Sequence, residues 1–458
     1  MASERVIAPG QTYDTVSRDV AAIAFTHPLR GRWWLALAGA LGLMGVMLAT
    51  IVWLLWQGVG IWHNNNTVVW ALDIVSYDWW VGIACGSLVV SAMLLLVGAE
   101  WRGAVNRIAE TMALLATAAA GIYPILHLGR PWFFYWTLPY PNTFALWPQF
   151  RSPLVWDAFD ILSLLVVSFS FWYTGMLPDL ATLRDRAFER VQARPSEGRL
   201  LRAQLYGIAA FGWRGSATHW QRWMQAYRTI GILGVIAVVA LQTGASVMFA
   251  GTVEPGWHDT LLPVAYLAGA LLSGVAAVAM LTVVLRGAFA LKPLITERHF
   301  DLLGLLLLTL GWINIYCYAT EFLVTWLGGN SFDTATLARR LVGPEAWSTW
   351  MILGCALLPV QLFWVPALRR SPAMLFLVGV LVSAGIWGDH FMVIVATLQH
   401  DFMPAVARPY TIGVWEWAMF AGSAGLFLFL LLMFLRYLPV VSMHEIRRLA
   451  TVAGARRG

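Results

Sequence analysis

The chain alternates between long apolar runs and short stretches that collect most of its charged residues. A helix crossing a bilayer needs about 20 mostly apolar residues, because the hydrocarbon core is about 30 Å thick and the helix rises about 1.5 Å per residue. Ten runs meet that length: 33–56, 79–98, 109–128, 156–176, 229–249, 261–285, 302–327, 348–366, 373–398 and 413–435. Trp33, Trp34, Trp56, Trp79, Trp80 and Tyr437 stand at their ends, where an amphipathic ring suits the headgroup layer. The pattern predicts an all-α integral membrane protein of about ten transmembrane helices.

Composition agrees. Of 458 residues, 59% are hydrophobic and 12% charged, about half of the ~25% charged fraction of a soluble domain, which excludes a water-soluble globule. The net charge of +6 is spread between the apolar runs rather than gathered in one patch, which excludes a nucleic-acid footprint. The basic residues instead predict orientation. Of 30 Lys and Arg, only five (Arg130, Arg151, Arg339, Arg340 and Arg408) fall in the odd-numbered connections, and the other 25 lie on the opposite side. Both termini are therefore expected in the cytoplasm by the positive-inside rule.

Residues 1–32 read as a cytoplasmic arm, and 33–56 as a retained helix rather than a signal peptide, because no small-residue cleavage site follows. The long connection 177–228 is rich in arginine. Its stretch Ala181 to Leu205 suits helices lying on the membrane surface or under a partner, with a solvated connection as the plainer alternative.

Cofactor chemistry finds little support in the chain itself. Cys85, Cys317 and Cys355 stand alone in apolar stretches, which offers neither a disulfide framework nor an iron–sulfur motif. The nine histidines supply no facing pair for haem. His390 is the one well inside a span, with no partner expected at its depth. No metal site, haem or iron–sulfur cluster is expected in this chain, and no nucleotide or hydrolase motif is present in it.

Ionisable groups in spans are more telling, since a charge at the bilayer centre costs about 2.5–3.5 kcal/mol on insertion scales. His127 ends the third span and Asp157 opens the fourth, both at the outer face, with Asp160 three residues on along the same helical face as Asp157. Asp73 and Asp78 stand just before the second span on that side, so four carboxylates and one imidazole converge. A neutral imidazole beside a carboxylate is the pair needed to take protons from a hydroquinone. A helix cap at Asp157 and a satisfied carbonyl partner at His127 are the structural alternative. Arg130 either pairs with Asp157 or marks the membrane edge. Glu321, Asp389 and His390 form a second polar set in the outer half of the membrane, suited to a proton relay or to packing two helices together.

Several segments then act together: the 30-residue spacing from His127 to Asp157, Tyr206 to Trp220 before the fifth span, Pro255-Gly256-Trp257-His258, Ala268 to Gly274, and Tyr318-Ala319-Thr320-Glu321. In these the chain resembles the NrfD/PsrC family of quinone-interacting membrane subunits, and more narrowly the ActC-type subunits of Alternative Complex III. The resemblance implies two four-helix bundles, 79–249 (spans 2–5, with the quinol site and the 177–228 connection) and 261–398 (spans 6–9). Spans 33–56 and 413–435 flank them, followed by a cytoplasmic tail, 436–458. It implies binding and deprotonation of quinol or menaquinol by His127 and Asp157, with Arg130, Asp160 and Asp78 around the substrate. Electrons would pass to an iron–sulfur subunit outside the membrane, beside cytochrome c subunits, a homologous NrfD-like membrane subunit and lipids. The implied setting is a bacterial inner membrane and a respiratory or photosynthetic complex that releases protons, with or without translocating them. At Gln242 and Met248 the chain departs from the His and Asp expected of the family. The alternatives are the membrane anchor of a polysulfide or molybdopterin oxidoreductase and, from another class, a secondary transporter, whose matched Gly/Pro-broken helices are not evident.

Overall fold

The computed structural model describes residues 6–26, 29–138, 153–193, 200–400 and 408–455, whose regular structure is all helical, with no strand among them. Among the described residues, ten helices are long and apolar enough to span a membrane, in agreement with the number of apolar runs. In chain order the helices are α1 (Tyr13–Thr26), α2 (Arg30–Gln57), α3 (Ala71–Leu96), α4 (Asn106–Ala120), α5 (Ile122–His127), α6 (Pro153–Ala193), α7 (Leu200–Ala209) and α8 (Ala217–Ala250). They continue with α9 (Leu262–Ala288), α10 (Glu297–Gly328), α11 (Ser331–Val342), α12 (Ala346–Met351), α13 (Pro366–Arg369), α14 (Pro372–Phe391), α15 (Val414–Tyr437) and α16 (Met443–Ala455). π-type and 3-10 turns carry α12 on to Trp364 and α14 on to Gln399. Arg151 and His27, and residues 194–199 of the long connection, lie outside the described residues.

Helices α3, α4, α6 and α8 pack on one another, as do α9, α10, α12 and α14, while α2 lies along α15. Small residues set the crossing between the two groups. On α3, Gly82 and Gly86 are four apart, facing Ala270 and Gly274 on α9. A Cβ at Gly86 would overlap the Ala270 carbonyl, and one at Gly274 would overlap the Gly86 backbone. Such close approach is how helices associate in lipid, where no hydrophobic effect drives them together. The α2–α15 pair uses the same device, with Gly422 and Gly425 against Met47 and Leu43.

Three expectations are corrected. The second span begins at Ala71, not 79, so Asp73 and Asp78 lie inside α3, buried at 4% and 7% exposure. The charges interrupt the apolar run but find partners within the protein, so the helix runs through them. Trp79 and Trp80 consequently lie inside the bundle rather than in a headgroup belt, donating to the Ser383 carbonyl (2.9 Å) and to Ser423 (3.0 Å). The Arg-rich connection does not open with a surface helix either: α6 continues unbroken to Ala193, with Asp179, Leu183 and Ala187 buried.

At the end of the molecule carrying both termini, Arg107 on α4 is fully buried, with Glu110 at 3.1 Å and Asp179 of α6 at 3.3 Å. Glu110 accepts from Ser91 and from Tyr227 of α8, and Arg102 pairs with Glu445 of α16. By position in the chain, Arg102 and Arg107 count as loop charges. Both are internal struts, since a buried ion needs paired, hydrogen-bonded surroundings to be tolerated.

Candidate functional site: a histidine–carboxylate pair behind an apolar groove

At the end opposite the termini, His127 Nδ1 lies 2.7 Å from Asp73 Oδ2. The two are 54 residues apart, and the bend at Gly121 between α4 and α5 brings the imidazole against the first turn of α3. With Asp73 buried and His127 exposed at the 20% level, the carboxylate is the fixed partner and the ring the accessible one. In a neutral ring whose Nδ1–H donates to Asp73, Nε2 is left as an acceptor.

Asp157, the expected partner, does not bond His127. It stands near the start of α6 within electrostatic range of His127, Asp160 and Asp78. Asp160 faces α8 at Gly244. Asp78 turns the other way, accepting from Tyr266 of α9 at 2.5 Å and lying 3.3 Å from His390 of α14. The expected single cluster is therefore split, because Asp73 and Asp78 are five residues apart on α3, about 140° around a helix. Asp78 thus brings a carboxylate of the first group to His390 of the neighbouring group. Arg130 is exposed and pairs with no carboxylate among the described residues. Gln242 is buried at 2% exposure, beside Cys85.

On the lipid-facing side of this cluster runs a groove of about 430 Å³ between α4–α5 and α6, walled by Ala118, Ile122, Ile125, Ala158, Ile161 and Leu162. His127 and Asp157 do not line it themselves, but the residues that follow them in the chain, Leu128 and Ala158, do. A polar head at the histidine and an apolar tail along the groove would fit this layout, whereas a small hydrophilic solute gains nothing from such walls.

Two residues carry more of the site than the sequence suggests. Asp73 stands in the sequence as one carboxylate among four, with nothing to mark it as the partner of His127. Glu416, at the start of α15, accepts from the Gly413 amide (2.5 Å) and from Tyr410, whose hydroxyl also accepts from the Leu72 amide at 3.0 Å. It thus braces the helix turn that carries Asp73. The Gly-x-x-Glu spacing of a capping box is the signal that points to it.

The second group has its own polar set at the same end. Arg340 of α11, a loop charge by its place in the chain, is 5% exposed and lies 2.9 Å from Glu321 of α10. It also donates to the Gly256 carbonyl (3.1 Å) and to Thr397 (2.9 Å). Asp389 accepts from Tyr318. A polar cavity of about 170 Å³ opens beside Glu321 and Arg340.

Known proteins share this chain's sequence over most of its length. Residues 60–400 match the family model described as polysulphide reductase, NrfD. The chain is 27% identical over 360 residues to a putative dimethyl sulfoxide reductase membrane subunit of Halobacterium salinarum, covering 78% of this chain and 74% of that protein. It is 22% identical over 399 residues to a selenate reductase subunit of Mesobacillus selenatarsenatis, covering 82% and 87%.

Proposed function

The chain belongs to the polysulphide reductase NrfD family, and from that premise we propose that it is the quinone-reactive membrane subunit of a multi-subunit reductase. In this reading it anchors a catalytic subunit and exchanges electrons between it and membrane quinol. Relatives named as a dimethyl sulfoxide reductase membrane subunit and a selenate reductase subunit favour this anchor over the Alternative Complex III subunit, although the quinol chemistry would be common to both.

The carrying observation is the 2.7 Å His127–Asp73 bond set behind an apolar groove. A hydroquinone must lose two protons and two electrons to become a quinone. His127 Nε2 takes the first proton while Asp73 stabilises the imidazolium. Asp157, with Asp160 behind it, takes the second. The electrons leave to an iron–sulfur cluster held by a partner subunit at this end. If the termini are cytoplasmic, as the arginine distribution predicts, the protons are released outside a bacterial inner membrane. Asp78 of the first group, next to His390 of the second, with Asp389 and Glu321 beyond it, makes a line suited to passing protons sideways.

The test uses assembled complexes carrying His127→Ala or Asp73→Asn. Quinol-dependent turnover should collapse, while a dye that donates directly to the catalytic subunit should still support it. Wild-type quinol turnover in both variants would overturn the assignment. The subunits that accompany the chain through mild purification separate the two complexes: a molybdopterin subunit supports the anchor, and cytochrome c subunits with a second NrfD-like chain support Alternative Complex III.

A further inference from the structure

A cavity of about 560 Å³ lies at the end carrying the termini, away from the histidine pair. It is walled by the extension of α6 (Pro178, Ala181, Arg184), the start of α8 (Trp220, Trp223) and α16 (Arg447). Five arginines line it: Arg102, Arg184, Arg214, Arg447 and Arg448. Two are neutralised locally, Arg102 by Glu445 and Arg184 by Asp185 at 2.8 Å. The other three face no carboxylate among the described residues. Arg447, 6% exposed, is fixed by Ser17 (2.7 Å), Thr182 (3.1 Å) and Tyr13, all uncharged. Arg214 and Arg448 are exposed, and their guanidiniums pair with no carboxylate among the described residues. The Nε of Arg102 is buried there with no acceptor.

Three uncompensated guanidiniums around one cavity call for an anion. Three tryptophans line the cavity as well: Trp213 and Trp220 meet edge-on at 4.9 Å and Trp220 and Trp223 at 5.5 Å. The position adds the last constraint. Helix α8 has 34 residues, about 51 Å of helix against a hydrocarbon core of about 30 Å, so its start stands clear of the lipid tails. Trp223 precedes the apolar stretch that begins near 229 by about 9 Å of helix, the level of headgroup phosphates. A ligand at this place needs an anionic group for the arginines and an apolar body for the indoles.

We propose that this cavity binds the phosphate headgroup of an anionic phospholipid, its glycerol backbone lying against the Trp213–Trp220–Trp223 wall. The bound lipid would tie α6, α8 and α16 together through Arg214, Arg447 and Arg448. Basic pockets between spanning helices near the membrane surface are the general form of such sites.

The full chain, purified in detergent with whatever subunits accompany it, is delipidated and offered phosphatidylglycerol, phosphatidylcholine or inorganic phosphate, and bound lipid is read by native mass spectrometry. Phosphatidylglycerol should be retained well above phosphatidylcholine. Exchanging both exposed arginines, Arg214→Gln with Arg448→Gln, should weaken it about thirty-fold. Arg32→Gln, an exposed arginine at the same end but outside the cavity, should leave retention unchanged. Equal retention of the two lipids, or no loss in the double variant, overturns the proposal. Inorganic phosphate competing as tightly as phosphatidylglycerol also overturns it, in favour of a soluble phosphorylated ligand.

Discussion

The two helix groups end, on the side away from the termini, in the same kind of arrangement with one difference of consequence. Each sets a basic side chain against a buried or half-buried carboxylate. In the first group the base is His127 against Asp73 at 2.7 Å, and in the second it is Arg340 against Glu321 at 2.9 Å. An imidazole exchanges its proton near neutral pH, whereas a guanidinium stays charged and has no acceptor site. The first pair can therefore take a proton from a substrate, and the second can only hold a charge in place. Their surroundings differ in the same direction: an apolar groove of about 430 Å³ on the lipid side of the first, and a polar cavity of about 170 Å³ beside the second. Reactive groups open to lipid belong to a lipid-soluble substrate. An ion pair beside a polar cavity belongs to structure, or to a route for protons already released.

Mutations should split the two pairs by kind of damage. His127→Ala removes a positioned base and should lower quinol turnover by about 10²–10⁴, with Asp73→Asn and Asp157→Asn toward the lower end of that range. Purification yield should stay near wild type, and the loss should be read as rate per assembled complex. Arg340→Met should do the reverse. It strands Glu321 without its partner and should cost about 3–5 kcal/mol of stability, visible as a lower melting temperature, while the surviving complexes turn over quinol. Adding Glu321→Gln should restore part of that stability, because no uncompensated charge then remains. If Arg340→Met instead abolished turnover in a stable complex, the contrast between the groups would fail.

The groove gives an intermediate effect. Ala158→Phe overfills it, a change of about 1–3 kcal/mol by the usual cost of overpacking. That should raise the KM for long-tailed quinol more than for a short-tailed analogue, with kcat little altered. The smallest effect belongs to Arg130→Gln. The side chain is exposed and pairs with no carboxylate among the described residues, so turnover should change by no more than about twofold, the range of surface substitutions. A larger loss would mean that Arg130 reaches the substrate.

How far the amino-acid order reveals this depends on what carries the signal. Ten spans are legible because each is long and apolar, and lipid leaves the backbone no alternative to helix. Helix ends are less so wherever charge enters the span, as with Asp73 and Asp78. A hydropathy window registers only their polarity, and their partners (His127, Tyr266 and His390) come from 54 or more residues away in the chain. The same blindness affects Arg102, Arg107 and Arg340. Loop charges by their place in the chain, they are internal struts, each paired with a carboxylate on another helix, and Arg107 with Glu110 of its own helix as well. His127 is visible as a candidate because an imidazole at a span end is rare. Its pairing with Asp73 rather than Asp157 is not, because that choice depends on which face of α3 meets α5.

The central claim is that quinone enters the first group and not the second. A photoreactive quinone with a short isoprenoid tail, activated in native membranes and mapped by peptide mass spectrometry, tests it most directly. Labels should fall on the groove, at residues such as Ala118, Ile122, Ile125, Ala158 and Leu162, and be displaced by excess quinol. Labels concentrated around Glu321 and Arg340, with the groove unmarked, would contradict the account.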